Sequence, residues 1–593
     1  MAQTPMNPNS VALITGCSSG IGYAAALRLA RGGWRVFAAL RDPAKAGPLQ
    51  KEAKGLSLEI LEMDVDKPAS VQRAFARLGA RAGRLDLLVN NAGYGAFGAL
   101  EDFTDAEVQA QYQTNVLGLM RVTRLALPWM RAQGSGRIIH LGSLAGRMTF
   151  AGIGLYCSSK HAVEALTEAL RLETRPFGVQ VSVIEPGSHH TGFKDNRRKN
   201  AVFKKGKSAY QSRLEKILEF GNRQSSNAPG PEGVVDMLER ALKDPVMKAR
   251  YAVGKDARLY PLVRWFLGAR LWDLLMARVG RKFDEVPLGD EVPDGKPSSA
   301  AAFKFPKGTK PPKGTRVALV TGATSGFGLE TAKRLTRAGW RVYGTYRNPH
   351  KLDALRALAR EGGEVFPLFM DLNRPATVTQ GFRRLARKEK RLDLLVNNAG
   401  FVMAGFLEDL SDAEFTSQFK TNVFGLLRVT AAALPLMRSQ GFGHVVNLGS
   451  ISGRVAFPGL GAYAASKFAL RSLSEGFRQE TRPFGVKVCE IAPGSYRTQV
   501  VASTRYGLKV KSPESPYRPF TLQMEGLVRR EFAKGGDPKE VAELILRAAQ
   551  SPSPPPVLWA GKDAKALNFF RWLLPDPVFE WALSRAFPWS RRP

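Results

Sequence analysis

The stretch VALITGCSSGIGYAAALRLARGGWRVFAALRDP, residues 11–43, decides the fold. It opens on a strand-length apolar run, VALIT, turns through glycines, continues as an amphipathic helix to about residue 31 and ends in a second apolar run, RVFAAL. Strand, tight turn, helix and strand in this order are the beta-alpha unit of a parallel sheet. Gly16, Gly20 and Gly22 permit a sharp turn and the close approach of a pyrophosphate to backbone N–H groups at a helix N-terminus. Their spacing is G-x-x-x-G-x-G rather than G-x-G-x-x-G, and taken alone it is a moderate signal, since such a turn also serves simple helix–sheet packing.

The stretch recurs as VALVTGATSGFGLETAKRLTRAGWRVYGTYRNP, residues 317–349, and LDLLVNNAG occurs at Leu85 and again at Leu392. Asn91 to Asn398 and Tyr156 to Tyr463 are both 307 positions apart. So long a period excludes a solenoid and marks two fused copies of one fold. The chain divides into a tail (1–9), a first domain (10–282), a Pro/Gly/Lys-rich linker (283–314) and a second domain (315–593). Within each half, further apolar runs such as LEILEMD, GRIIHLGS and VQVSVIEPG alternate with helix-length segments. Several are apolar on both faces, as strands covered by helices on two sides must be. Two doubly wound α/β sheets are expected, with ligands at the carboxyl ends of their strands.

Composition excludes other classes. The 593 residues are 44% hydrophobic and 23% charged, with 58 Gly and 37 Pro, which is globular rather than fibrous or disordered. Three Cys make neither a disulfide framework nor a Cys-based metal site, so a reducing, cytoplasmic setting is expected. The first residues lack the features of a secretory leader. The longest apolar stretches, 259–279 and 566–586, are broken by charges such as Arg264, Asp273, Arg571 and Glu580, so no membrane span is expected. A net charge of +35 attracts polyanions, whether cofactor phosphates, anionic lipid or nucleic acid.

After the first strand come Gly16, Ser18, Ser19, Gly20, Ile21 and Gly22, and in the repeat Gly322, Thr324, Ser325, Gly326, Phe327 and Gly328: these are the expected phosphate cradles. The second strands end in Arg41 and Arg347, where an NAD-selecting site places an acid. An Arg there pairs with a 2′-phosphate, favouring NADP(H) over NAD(H) in both halves, or is simply a solvated surface charge. Asp64 and Val65, and Asp371 and Leu372, follow the third strands; the acids either contact an adenine edge or cap the next helix.

The catalytic set expected in the first half is Ser143, Tyr156 and Lys160, with Asn115 on the preceding helix. Tyr156 and Lys160, four apart, share a helix face. A phenol is a poor base at neutral pH, and a neighbouring ammonium favours its phenolate. Tyr156 then exchanges a proton with the substrate oxygen, Ser143 holds that oxygen, and Asn115 fixes a water linking Lys160 to solvent. Asn422, Ser450, Tyr463 and Lys467 repeat the set, with Ser and Tyr 13 residues apart in both halves. No metal site is expected.

Together TGCSSGIG, NNAG (Asn91, Ala92, Gly93; Asn398, Ala399, Gly400), a helix Asn, a strand-end Ser, Y-x-x-x-K and PG-x-x-x-T (Pro186, Gly187, Thr191; Pro493, Gly494, Thr498) resemble the short-chain dehydrogenase/reductases over about 250 residues of each half. The resemblance implies a Rossmann-type fold of seven parallel strands, NAD(P)(H) binding and alcohol–carbonyl oxidoreduction. It also implies that Asn91 and Asn398 lie beside the cofactor and that Thr191 and Thr498 contact its carboxamide. LITGCSSGIG with ALRDP is most similar to the 17-beta-hydroxysteroid and retinol dehydrogenase branch, which implies a lipophilic carbonyl or alcohol substrate. Family members usually assemble from single-domain chains, so the fusion implies pairing of the halves within one chain or a homo-oligomer.

Substrate pockets are expected from 193–231 and 500–537, with Tyr210 and Phe220, and Tyr506, Tyr517 and Phe520, as candidate lining residues. His189 and His190 read as loop residues. Each half ends in a basic, aromatic, helix-compatible stretch, 259–282 and 566–592. Such a helix lies peripherally in a membrane interface, covers the substrate cleft, or docks on the neighbouring half. The charge carries no recognised nucleic-acid reading module, and no specific nucleic acid is expected. The leading expectation is an NADP(H)-dependent oxidoreductase with two active sites. The alternatives are a pair of hydroxyacyl/ketoacyl reductases of differing stereochemistry and an NADPH-binding scaffold with one active half or none.

Overall fold

A computed structural model describes residues 10–191, 196–283, 314–499 and 503–587. Most of the 283–314 linker therefore lies outside the described residues, as do parts of both expected pocket segments. The first half forms a sheet of β1 (Val11–Thr15), β2 (Arg35–Leu40), β3 (Leu58–Glu62), β4 (Leu87–Asn90), β5 (Gly136–Leu141), β6 (Val179–Pro186) and β7 (Arg250–Val253). Its order is β3-β2-β1-β4-β5-β6-β7 and every pairing is parallel. The second half repeats it with β8 (Arg316–Val320), β9 (Trp340–Tyr346), β10 (Val365–Phe369), β11 (Leu394–Asn397), β12 (Gly443–Leu448), β13 (Val486–Pro493) and β14 (Val557–Ala560), in the order β10-β9-β8-β11-β12-β13-β14. The expected pair of doubly wound sheets is present. All five residues of β1 are buried, which is why VALIT carries no polar face.

The order reverses between β1 and β4, and the crevice there, at the carboxyl ends, receives ligands in such sheets. The elements around it are α1 (Gly20–Arg31), α2 (Leu119–Ala132), α3 (Gly154–Thr174), α4 (Gln211–Ser226) and α5 (Lys255–Arg281). In the second half they are α6 (Gly326–Arg337), α7 (Leu426–Gln440), α8 (Gly461–Thr481), α9 (Arg518–Ala533), α10 (Lys562–Leu573) and α11 (Asp576–Ala586).

The halves pack on each other through α3 and α8, and one apolar core runs through both. This is why α3 is buried around almost its whole circumference rather than along one stripe. Polar contacts across the boundary come in equivalent pairs. Glu480 accepts the backbone N–H groups of Leu100 (2.8 Å) and Gly152 (3.2 Å), while Glu173 accepts those of Leu407 (2.9 Å) and Gly459 (2.9 Å). Burial raises both carboxyls to about 8, the two N–H donors partly opposing it. Arg121 meets Asp412 (2.5 Å) as Arg428 meets Asp105 (2.7 Å), and Arg171 meets Glu580 (2.5 Å) as Arg478 meets Asp273 (2.7 Å).

Tyr210 and Tyr517, expected in pockets, belong to this boundary. Each is buried, donating its hydroxyl to Glu101 (2.9 Å) and Glu408 (2.7 Å) and setting its ring against Phe484 and Phe177 of the opposite half. Their apolar bodies and polar tips suit a fully packed seam with a carboxylate at its end better than an open pocket wall.

Candidate active site

The glycine turns are held from behind. Asn91 Nδ2 donates to the carbonyls of Thr15 (2.9 Å) and Gly16 (3.0 Å), and the buried Thr15 hydroxyl accepts the N–H groups of Asn91 and Ala92, both at 3.0 Å. Asn398 and Thr321 repeat this clamp. Asn91 and Asn398 thus act on the loop itself, and Thr15 and Thr321 are site residues that motif reading passed over. A methyl group on Gly22 would overlap Asn91 Nδ2 and the Gly16 carbonyl, and one on Gly328 would overlap Asn398 Nδ2 and the Gly322 carbonyl, so only glycine fits at these positions.

Ser19 and Ser325 stand at the N-caps of α1 and α6 without a side-chain cap bond, and neither helix has an acid in its first turn. The first N–H groups and the positive end of each helix dipole are left for a ligand, an arrangement that fits the diphosphate of a dinucleotide. Arg41 is exposed at the mouth of the first crevice and Arg347 at the end of β9. Asp64 Oδ1 accepts the Asp66 N–H (3.1 Å) and Asp371 Oδ1 that of Asn373 (3.0 Å), so both acids close their own turns.

Tyr156 and Lys160 project from one face of α3 as their spacing requires, and both are buried. Ser143 hydrogen-bonds the Tyr156 hydroxyl, as Ser450 does that of Tyr463. Lys160 Nζ lies 5.9 Å from the Tyr156 ring centre and donates to the Leu141 carbonyl at 2.6 Å; Lys467 repeats this at 5.7 Å from Tyr463, donating to Leu448 at 2.7 Å. The expected lowering of the phenol pKa is not found. Burial raises both phenols, with the Ser143 and Ser450 hydrogen bonds opposing it, and burial lowers both lysines to about 8. In this protein environment each phenol holds its proton at neutral pH.

Asn115 sits in a π-helical turn, Gln113–Gly118, that breaks the helix register at the site. Its Oδ1 accepts the Tyr94 N–H (3.1 Å), and its Nδ2 donates to the Tyr94 carbonyl (3.0 Å) and to Ser159 Oγ (3.2 Å). Asn422 makes the same bonds to Phe401 and Ser466. Both side chains therefore tie the loop after β4 or β11 to α3 or α8.

A second fastening is far away in sequence. Asp256, at the start of α5, accepts the Ser188 N–H at 2.7 Å and holds the Pro186–Gly187 loop; Asp563, at the start of α10, does the same for Ser495 at 2.6 Å. A lone Asp 68 residues beyond its partner carries no motif that sequence reading could detect.

In the first half these parts line one cavity of about 1110 Å³. Of the expected cofactor-binding and catalytic residues of this half, Gly22 and Asn115, which act from behind, do not line it. Its outer wall is Phe150, Ile217 and Phe220 with much of α5, and Arg478, Gln479 and Arg482 reach it from the second half. His189 lines it too. The second half differs. Thr324, Ser325 and Gly326 line one cavity of about 620 Å³, whereas Ser450, Tyr463, Pro493, Gly494 and Tyr506 line another of about 250 Å³, with Thr498 on both. Phe327 and Tyr496, which replace Ile21 and His189, meet edge to face at 5.4 Å on the wall of the smaller one. Tyr496 is anchored through its hydroxyl to Glu540 (2.8 Å). Gly322, Gly328, Arg347, Asp371, Leu372, Asn398, Ala399, Gly400, Asn422 and Lys467 line neither cavity. Phe520 lines neither and packs near Phe406.

Comparison with known proteins agrees with this geometry. The family model described as short chain dehydrogenase matches residues 10–202 and again 316–508. The 17-beta-hydroxysteroid dehydrogenase type 1 of Homo sapiens is 36% identical over 266 residues, covering 43% of this chain and 80% of that protein. The 3-ketodihydrosphingosine reductase of Bacteroides thetaiotaomicron is 32% identical over 270 residues, covering 45% of this chain and 96% of that protein. Among solved structures, a short-chain dehydrogenase from Streptomyces avermitilis is 33% identical, with a TM-score of 0.40, covering 46% of this chain and 98% of that one. Each relative spans about half of this chain, and the family model falls on both glycine cradles and both Ser–Tyr–Lys sets: the chain belongs to the short-chain dehydrogenase family of oxidoreductases and carries that domain twice.

Proposed function

We propose that the chain is an NADP(H)-dependent carbonyl reductase/alcohol dehydrogenase for lipophilic substrates, with a Ser–Tyr–Lys site in each half. The observation that carries this reading is the buried Tyr156 hydroxyl, bonded to Ser143 and placed in one cavity with an uncapped helix N-terminus. The N–H groups at the start of α1 would hold the diphosphate, Arg41 the 2′-phosphate, and Thr191 the nicotinamide end. When bound, the nicotinamide supplies or accepts hydride at the substrate carbon.

The chain's own residues manage the proton. Ser143 holds the substrate oxygen against the Tyr156 hydroxyl, and the phenol, kept protonated by burial, donates as negative charge develops on that oxygen. The Lys160 ammonium stabilises the phenolate so formed. The apolar outer wall of the first cavity supports a lipophilic substrate, in keeping with relatives named for steroid and ketodihydrosphingosine chemistry. The smaller cavity at Tyr463 suits a slimmer substrate, so the halves are expected to differ in specificity.

The test is NADPH consumption over a panel of steroid ketones, retinal, fatty aldehydes and ketoacyl esters. Turnover of the apolar members with kcat/KM higher for NADPH than for NADH, and a shift of that ratio toward NADH in Arg41→Asp with Arg347→Asp, is the expected result. No turnover across the panel contradicts the reading.

A further inference from the structure

Of the twenty large apolar side chains exposed among the described residues, fifteen lie on three helices: α5 of the first half and α10–α11 of the second. On α5 they include Leu262 (62% exposed) and Phe266 (81%), and on α10–α11 Phe569 (50%) and Trp581 (56%). The two groups form one patch. Trp265 and Trp572 stack at 5.7 Å, and each indole N–H donates to the other's backbone carbonyl, at 2.6 and 3.2 Å. A patch of this kind on a folded chain marks a surface that meets another apolar phase.

The charges say which phase. The three helices contain five acids, and each is already partnered: Asp256 and Asp563 hold the Ser188 and Ser495 N–H groups, Asp273 pairs with Arg478, Glu580 with Arg171, and Asp576 with Arg250 and Arg571. Lys255, Arg258, Arg270, Arg278, Arg281, Lys562 and Lys565 on the same helices are exposed and make no ion pair among the described residues. Apolar and aromatic tips flanked by unpaired cations, with every acid already engaged by a partner, complement an anionic lipid surface. A second copy would bring cations against cations.

The patch is also the outer wall of the first cavity. Leu259, Tyr260, Leu275 and Val279 are exposed and line that cavity at once, so its mouth opens in the patch. Gly268, at φ +67° and ψ 173°, breaks α5 in mid-course into two shorter helical segments.

We propose that α5 and α10–α11 form a single docking platform for an anionic bilayer surface, through which the first active site takes lipophilic substrate directly from the lipid. The second clause rests on the proposed function; the first does not.

The experiment is flotation of the full chain with vesicles of phosphatidylcholine alone or with a quarter phosphatidylglycerol, read as the bound fraction and, in parallel, as turnover of a water-soluble carbonyl. The variant is Leu262→Glu/Phe266→Glu/Phe569→Glu/Trp581→Glu, four exposed residues outside both active sites. The wild type is expected to bind the anionic vesicles and to lose most binding on plain phosphatidylcholine or in high salt. The variant should bind more than tenfold less while its soluble-substrate turnover and circular dichroism stay unchanged. Absence of binding to the anionic vesicles, equal binding to both vesicle types, or a wild-type dimer in light scattering that the variant converts to monomer overturns the platform. Vesicle binding without turnover leaves the platform standing and counts against the proposed function alone.

Discussion

At the scale of the residue, burial acts on Tyr156 and Lys160 in opposite directions, raising the phenol and lowering the ammonium. The phenol keeps its proton across the neutral range, while the lysine, lowered to about 8, is charged below that pH and neutral above it. The charged form stabilises the phenolate left after proton donation, so kcat/KM for carbonyl reduction should hold at neutral pH and fall through an apparent pKa near 8. A pH–rate profile that stays flat well above that value contradicts the assignment. These residues were legible in sequence because the chemistry demands particular side chains at fixed helical spacing, repeated 307 positions on. The direction of the phenol shift was not: proximity of an ammonium can be read from i, i+4 spacing, whereas the desolvation that outweighs it depends on how deeply α3 is packed. Nor was the use of Asn115, since only the folded loop shows that Tyr94 backbone groups occupy its amide.

At the scale of the element, the helices that begin at Lys255 and Lys562 each have two tasks that meet at one residue. Asp256 and Asp563 fasten the Pro–Gly loops that border the cofactor crevice, and the remainder of each helix walls a cavity or faces outward. Asp256→Ala leaves the Ser188 N–H without its acceptor, a loss worth about 1–3 kcal/mol when buried and less where solvent enters. The expected outcome is a roughly tenfold rise in the Kd for NADPH by fluorescence titration, with the melting temperature little changed. An unaltered Kd would show that the loop holds itself. The strands most clearly read from sequence were the long apolar runs, all of which formed. The seventh strands, RYAV and VLWA, are only four residues long and are fixed in place by pairing with β6 and β13, which no local pattern announces.

At the scale of the whole molecule, fusion places two copies of one domain around a shared core, with Glu173, Glu480 and the paired arginines each reaching into the other half. Their sequence equivalence was visible in the repeat; that α3 and α8 would meet was not, because a helix buried on every face has no outward stripe to signal its partner. The two sites are equivalent in their Ser–Tyr–Lys geometry and unequal in their approach, where Phe327 and Tyr496 stand in the second half and Ile21 and His189 in the first. The central claim is that each tyrosine is the proton donor of its own site. It is tested most directly by single-turnover NADPH oxidation in Tyr156→Phe, Tyr463→Phe and the double variant, with NADPH binding followed by fluorescence in the same samples. Each single variant is expected to lose one half's substrates by at least a hundredfold, the double variant to lose all of them, and NADPH to bind still. Full activity in the double variant, or loss of NADPH binding in place of turnover, would contradict that claim.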